Sequence, residues 1–497
     1  MTELVATETE TAQPDRKTVP DKGDTRGWIT FALTVAVLVA STVSLFLPLK
    51  PEAIGSAACV LMLTMIFLRI PVAVAMIVPA LLGMYALRGE RLVESMLTTL
   101  PYQQVANWTL SVVPMFILMG LLLWRAGLTE TLYTAGRHWL GWLPGGLAVG
   151  TNLAGAGLAS VSGSSVGTTY ALARIGIPEM LKAGYDRRLA VGAVIVAGLP
   201  GQLIPPSIML VIYAGIAEVP IGPQLLAGIG PGLLVALMFT VMIVIFARRW
   251  AVAKTDHTEH HPAVTWRDRW RSLAGTWPVP LLIAIISIGM FSGVFTATEA
   301  GAVAAVFSVV VALIWKRRDG AWRALTDAAS GTISSVGAIF FMLIGVEALS
   351  RMFTLTGIST GFAELVEGMH LNRITFLLMM TVVYIVLGTF MEPLPMMVLT
   401  IPVLMPTLVS MDISLLWYGV FAVFMGELAI VTPPVGILAF IIHTITKDPE
   451  VNQGEDISMN DVFKAVWWFM PMAVLVTLVL IFFPDIVTFI PNLMSAE

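Results

Sequence analysis

Two short polar interruptions inside long apolar stretches hold the residues of this chain that could do chemistry. The first is Ser162-Gly-Ser-Ser165, followed 41 residues after Ser164 by the pair Pro205-Pro206. The second is Gly388-Thr-Phe-Met-Glu392, followed 41 residues after Glu392 by Pro433-Pro434. Proline lacks an amide hydrogen and clashes with the turn before it, so a helix is interrupted there. Within a membrane the freed carbonyls and amides must line a cavity or be buried in protein. N-terminal half-helix ends present amides and positive potential, and C-terminal ends present carbonyls and negative potential. A small hard cation such as sodium takes oxygen ligands, by extension from other hard ions. The first break offers the hydroxyls of Ser162, Ser164, Ser165 and Thr168 and carbonyls near Gly198, Gly201 and Ile204. The second offers Thr389, Glu392 and Thr432 with carbonyls near Gly388 and Val431.

From this inventory, Ser162, Gly163, Ser164, Gly198, Gly201 and Ile204 are the candidates for one sodium site. Gly388, Thr389, Glu392, Val431 and Thr432 are the candidates for a second. Ser165, Thr168, Pro205, Pro206, Pro433 and Pro434 are the candidates for touching a substrate. The competing reading is that the serines only satisfy helix backbone or pack as small residues. Repetition of the same tip-then-proline pattern in the other half of the chain argues against it. Interrupted segments at matching places in two halves are the sequence pointer to a transporter site.

The elements that must hold these residues follow from composition. Hydrophobic residues make up 57% of the 497 and charged residues 12%, against roughly 25% charged in soluble domains. That excludes a soluble enzyme and indicates an all-α polytopic membrane protein. Full spans of about 20 residues are expected at 28–48, 52–68, 71–87, 107–124, 188–216, 224–247, 277–295, 297–315, 325–349, 415–443 and 464–486. Residues 145–183 and 372–410 are each too long for one span and broken in the middle, so each is read as a re-entrant hairpin. Residues 126–142 and 358–370 read as amphipathic helices along the interface, with Trp139 and Trp142 at headgroup level.

Lysine and arginine set the orientation. With the N-terminus in the cytoplasm, only Lys50, Arg88, Arg91, Arg351 and Arg373 of the 28 basic residues fall in outside segments. An odd number of spans separates the hairpins, so they enter from opposite faces. The organisation expected is a disordered cytoplasmic tail (1–27), scaffold helices (28–143), a first hairpin with its broken helix (144–217), further scaffold helices with a cytoplasmic loop at 248–276 (218–371), a second hairpin with its broken helix (372–445), and a cytoplasmic loop with a last span (446–497). Together these form an inverted-topology repeat with two re-entrant hairpins and two broken transmembrane helices, which places a site near the midplane.

Other chemistry-bearing residues are sparse. Glu299, Glu347, Glu392 and Glu427 are membrane carboxylates, functional candidates by position. Glu427, six residues before Pro433, is a possible ion-linked carboxylate. Arg174 reads as a snorkelling or scaffold-facing charge. His257, His260 and His261 lack companions at ligand spacing and read as a solvated linker. A single cysteine, Cys59, excludes internal disulfides and thiolate clusters. HExxH, Walker A and CxxC are all absent. No enzyme is expected, no cofactor, and sodium is the only metal.

The run Pro144-Gly-Gly-Leu-Ala-Val-Gly-Thr-Asn152, then Ser160-Val-Ser-Gly-Ser-Ser-Val-Gly167, Ile177-Pro-Glu-Met-Leu-Lys-Ala-Gly-Tyr185 and Leu203-Ile-Pro-Pro-Ser207, resembles the large membrane subunit of tripartite ATP-independent periplasmic (TRAP) transporters. Thr296-Ala-Thr-Glu-Ala300 and Glu427-Leu-Ala-Ile-Val-Thr-Pro-Pro-Val-Gly436 extend the resemblance, which runs from about residue 53 to 490. It implies an elevator-type fold and a small four-helix (DctQ-like) membrane partner. It also implies a periplasmic (DctP-like) substrate-binding protein and sodium-coupled import of organic acids across a bacterial inner membrane. The family match places Ser162 to Ser165 at the first tip, Ile204 to Pro206 in the first broken helix and Thr432 to Gly436 in the second. Two features depart from the family pattern. The second tip reads Met391-Glu-Pro-Leu-Pro395 where an aspartate and small residues are usual, and Leu121 replaces a polar residue after Gly120. The alternative within transport is a stand-alone ion- or proton-coupled carrier without a binding protein.

Overall fold

Helix ends are written locally along this chain. The first hairpin opens after Gly145 and runs up α7 (Gly146–Ser162) to Gly163, which takes a φ of 65° that costs glycine nothing. Ser164 then caps α8 (Ser165–Lys182), its hydroxyl accepting from the Gly167 amide at 3.1 Å. Asp186 caps α9 (Arg187–Val196), which gives way to a single 3₁₀ turn at Pro200–Gln202. The chain passes through a cis Pro205-Pro206 bond, and Ser207 caps α10 (Ile208–Ile216). The second hairpin repeats the order. Asn372 caps α18 (Arg373–Gly388), Pro393 opens α19 (Pro393–Ser410), Ser414 caps α20 (Leu415–Ala429), and Gly436 in left-handed conformation opens α21 (Ile437–Ile445).

The computed structural model describes residues 25–251, 264–317, 320–433 and 436–494. Most of the expected N-terminal tail, His257, His260, His261 and Pro434 lie outside the described residues. Among those described, all regular structure is helical. One compact unit comprises the described residues up to 100 with 347–358. It holds α1 (Thr25–Leu45), α2 (Pro51–Phe67), α3 (Val72–Arg88) and the start of α4 (Glu90–Val105). Thr356 packs on Gly55 of α2 so closely that a Cβ there would meet its Oγ1 at 2.6 Å.

The other unit comprises 101–346 and 359–497. Its first part holds α5 (Val112–Arg125), α6 (Leu128–Leu140), α7 to α10, α11 (Ile221–Ala227), α12 (Ile229–Phe246), α13 (Trp266–Thr276), α14 (Pro278–Phe291), α15 (Ala297–Trp315) and most of α16 (Ala321–Thr356). Then come α17 (Ile358–Gly368), α18 to α21, α22 (Pro449–Asn452), α23 (Met459–Phe482) and α24 (Asp485–Met494). Within it the two broken helices exchange partners. α10 packs against α19 and α20, and α21 packs against α8 and α9. The trailing half of each broken helix thus leaves its own module and lies on the hairpin and leading half-helix of the other.

Among the described residues, seven helices are long and apolar enough to cross a membrane, or eight if α13 and α14, bent by 49°, count as one span. The expected segments at 52–68 and 71–87 are helices of 17 residues each. The segment expected at 325–349 is a 36-residue helix, α16. Within the connector expected at 248–276, residues 266–276 are helical, because Thr265 and Asp268 form a capping box. Helices α4 and α24 have no counterpart in the span reading, both being too amphipathic or short to register as spans.

Candidate functional site

The hairpin tips converge on the last turn of α20. From the first tip, the Ser165 hydroxyl donates to Glu427 Oε2 at 2.5 Å. From the second, Pro393 lies against Gly426, where an added Cβ would meet the Pro393 Cβ at 3.0 Å. Gly388 lies against Ala429 more tightly still, its hypothetical Cβ 2.1 Å from the Ala429 Cβ. Only glycine allows these backbones so close. Glu427 is 1% exposed and makes no salt bridge among the described residues. Its carboxylate sits at the N-terminus of α8, where the helix dipole favours an anion. Glu392 is exposed at the second tip.

Around the first tip the candidate hydroxyls lie together. Ser162 Oγ and Thr168 Oγ1 are 3.1 Å apart, and Gly198 approaches Ser165 closely enough that a Cβ would lie 3.4 Å from its Cα. Gln202, fully buried in the 3₁₀ turn, completes the cluster. With its amide oriented to satisfy both ends, Oε1 accepts from the Ser164 amide at 3.2 Å and the Ser165 amide at 3.1 Å. The first broken helix is thereby tied to its own hairpin. Gly201 and Ile204 serve packing: a Cβ on Gly201 would fall 2.3 Å from the Ala156 carbonyl oxygen of α7, and Ile204 fills the space over Gly232 of α12. Pro205 and Pro206 are buried within the break.

At the second break the hydroxyls turn back on their own helices. Thr389 Oγ1 donates to the Val386 carbonyl at 2.7 Å, and Thr432 Oγ1 to that of Leu428 at 2.7 Å. Each keeps its oxygen lone pairs, since a hydroxyl donates once and accepts twice. The Val431 carbonyl faces Gly436, and Pro433 is half-buried. Glu392 stands at the N-cap position of α19 without a capping hydrogen bond from its side chain.

The other membrane carboxylates have local partners. Glu299 closes a capping box with Thr296, accepting from its amide at 2.8 Å, and Glu347 pairs with Arg351 at 2.7 Å one turn on. Arg174 lies over the Tyr170 ring, 5.2 Å from its centroid. Sequence reasoning missed Gln202 and Asn152. The Asn152 amide of α7 donates to the Ala236 carbonyl and to Thr240 Oγ1 of α12, both at 3.1 Å. Their one signal was an amide inside an apolar run.

Two hairpins, two broken helices and a shared contact turn are the frame of a membrane carrier. A family model described as tripartite ATP-independent periplasmic transporter, DctM component, matches residues 59–486. The chain belongs to the DctM family. This DctM-type chain is therefore a multi-pass membrane permease, not an enzyme, of a family that works with a small membrane subunit and a substrate-binding subunit. It is 29% identical over 455 residues to the C4-dicarboxylate TRAP transporter large permease protein of Vibrio cholerae, covering 88% of this chain and 97% of that one. It is 28% identical over 442 residues to a sialic acid TRAP transporter permease of Haemophilus influenzae, covering 88% of this chain and 68% of that one. Among solved structures, the Alcanivorax borkumensis YdaH transporter superposes with a TM-score of 0.57 at 14% identity, over 90% of this chain and 98% of the other. That likeness concerns the fold alone.

Proposed function

We propose that this DctM-family permease imports a small organic anion of the carboxylate class, coupled to sodium and delivered by a periplasmic binding protein. The observation that carries the reading is the reciprocal packing of two broken-helix modules around the last turn of α20. Coupling needs the sites to depend on one another, and the exchange of half-helices supplies the physical connection. Segments 144–217 and 372–445 then form a transport domain that moves as an elevator against the remaining helices. The relatives are named for C4-dicarboxylates and sialic acid. Both ligands carry carboxylates, for which helix N-termini and hydroxyls are suitable partners.

In this reading Ser162, Ser164 and nearby carbonyls hold one cation, and Thr389, Thr432 and nearby carbonyls hold the other. Ser165, Thr168 and the proline-proline breaks face the cargo. The partners are a four-helix DctQ-like subunit and a DctP-like binding protein, with the N-terminus in the cytoplasm and the C-terminus in the periplasm of the inner membrane. The test is uptake into proteoliposomes holding the full complex, with a candidate organic acid and its binding protein. Accumulation should require an inward sodium gradient, and Ser164→Ala and Thr432→Ala should each raise half-saturating sodium. Accumulation without a sodium gradient, or without the binding protein, would sink the proposal.

A further inference from the structure

The Ser165–Glu427 hydrogen bond joins residues 262 positions apart, one at the tip of the first hairpin and the other on the second broken helix. We propose that this contact makes cation binding at the two breaks cooperative, with Ser165 and Glu427 acting as positioning residues. The inference rests on the sodium-coupled reading above and adds to it how the two sites communicate.

Four observations carry it. Ser165 begins α8 directly after Ser164, and both amides share the Gln202 acceptor, so a shift of Ser165 moves the backbone of the first candidate cation site. Glu427 lies one residue from Gly426, which packs on Pro393, and two from Ala429, which packs on Gly388. A shift of Glu427 therefore moves the second tip. Glu427 is also one residue from Leu428, whose carbonyl accepts the Thr432 hydroxyl, so the same turn holds the second break's threonine. Lastly, the carboxylate is buried without a cationic partner among the described residues. A group in that situation depends on its hydrogen bonds, because leaving them unmade is costly. The contact is thus hard to loosen in one module without disturbing the other, which is the physical content of coupling between sites.

Sodium titrations of the purified wild-type complex, read by transport and independently by sodium-dependent thermal unfolding, test the inference. Wild type should give a Hill coefficient above one in both. Ser165→Ala and Glu427→Leu should bring it to about one and raise half-saturating sodium by roughly fivefold or more. Glu427→Gln, which keeps an oxygen acceptor for Ser165, should retain cooperativity and also shows that the position tolerates substitution. Three results overturn the proposal: a wild-type Hill coefficient of one, cooperativity surviving in Ser165→Ala, or loss of sodium response in Glu427→Gln matching that in Glu427→Leu. The last would make the carboxylate charge itself a cation ligand. A wild type with no sodium response at all sinks the sodium reading, and this inference falls with it.

Discussion

At the scale of single residues, the decisive groups are small and uncharged, with one exception. Ser164 caps a helix, Ser165 donates across the molecule, and Gln202 holds both of their amides. Removing the Gln202 amide takes the acceptor from the buried Ser165 amide and leaves the exposed Ser164 amide only its 3.4 Å contact with the Ser162 hydroxyl. Gln202→Leu should therefore lower stability by about 1–3 kcal/mol, seen as a lower unfolding temperature of the purified protein. An unchanged midpoint would show that the tip amides are satisfied elsewhere. The exception is Glu427, whose burial singles it out from Glu299 and Glu347, each closed on a neighbour in its own chain segment. In sequence Glu427 stands apart from the other two only by its place six residues before Pro433. Nothing in the residues around Glu427 announces that its partner lies 262 positions away.

At the scale of elements, glycine and proline place the breaks, and close backbone approach holds them. The 3₁₀ turn at Pro200–Gln202 sits against α7 because Gly201 has no side chain: a Cβ would lie 2.3 Å from the Ala156 carbonyl oxygen. Gly201→Val should force the turn away from α7. The expected destabilisation is of the order of 1–3 kcal/mol, together with weakened substrate-dependent protection of the first hairpin in hydrogen–deuterium exchange. Full retention of both would show that the turn can shift freely. The hairpins and the proline breaks were legible in the sequence, since each is fixed by restrictions acting within a few residues. Helix α13 was less so, its capping box hidden in an arginine-rich run.

At the scale of the whole molecule, the pairing of α10 with α19 and α20, and of α21 with α8 and α9, makes the two modules one interlocked unit. The inverted arrangement makes a topological prediction. In a Cys59→Ala background, an impermeant maleimide should label Asp412→Cys, at the base of the second hairpin, from the periplasmic side. Lys182→Cys, at the base of the first, should react only from the cytoplasmic side. Labelling of both from one side would refute the inverted repeat.

The amino-acid sequence by itself determined that the chain spans a membrane, where its two hairpins break, and that two tip-and-proline modules recur in the chain. Those properties arise from transfer energies, caps and backbone restrictions that act over a few residues. Only the tertiary structure decided which module meets which. The exchange of half-helices, the Gln202 clasp and the Ser165–Glu427 contact depend on side chains brought together from distant segments. Long-range packing of that kind is selected by shape and by the need to satisfy every buried polar group, and no local pattern encodes it.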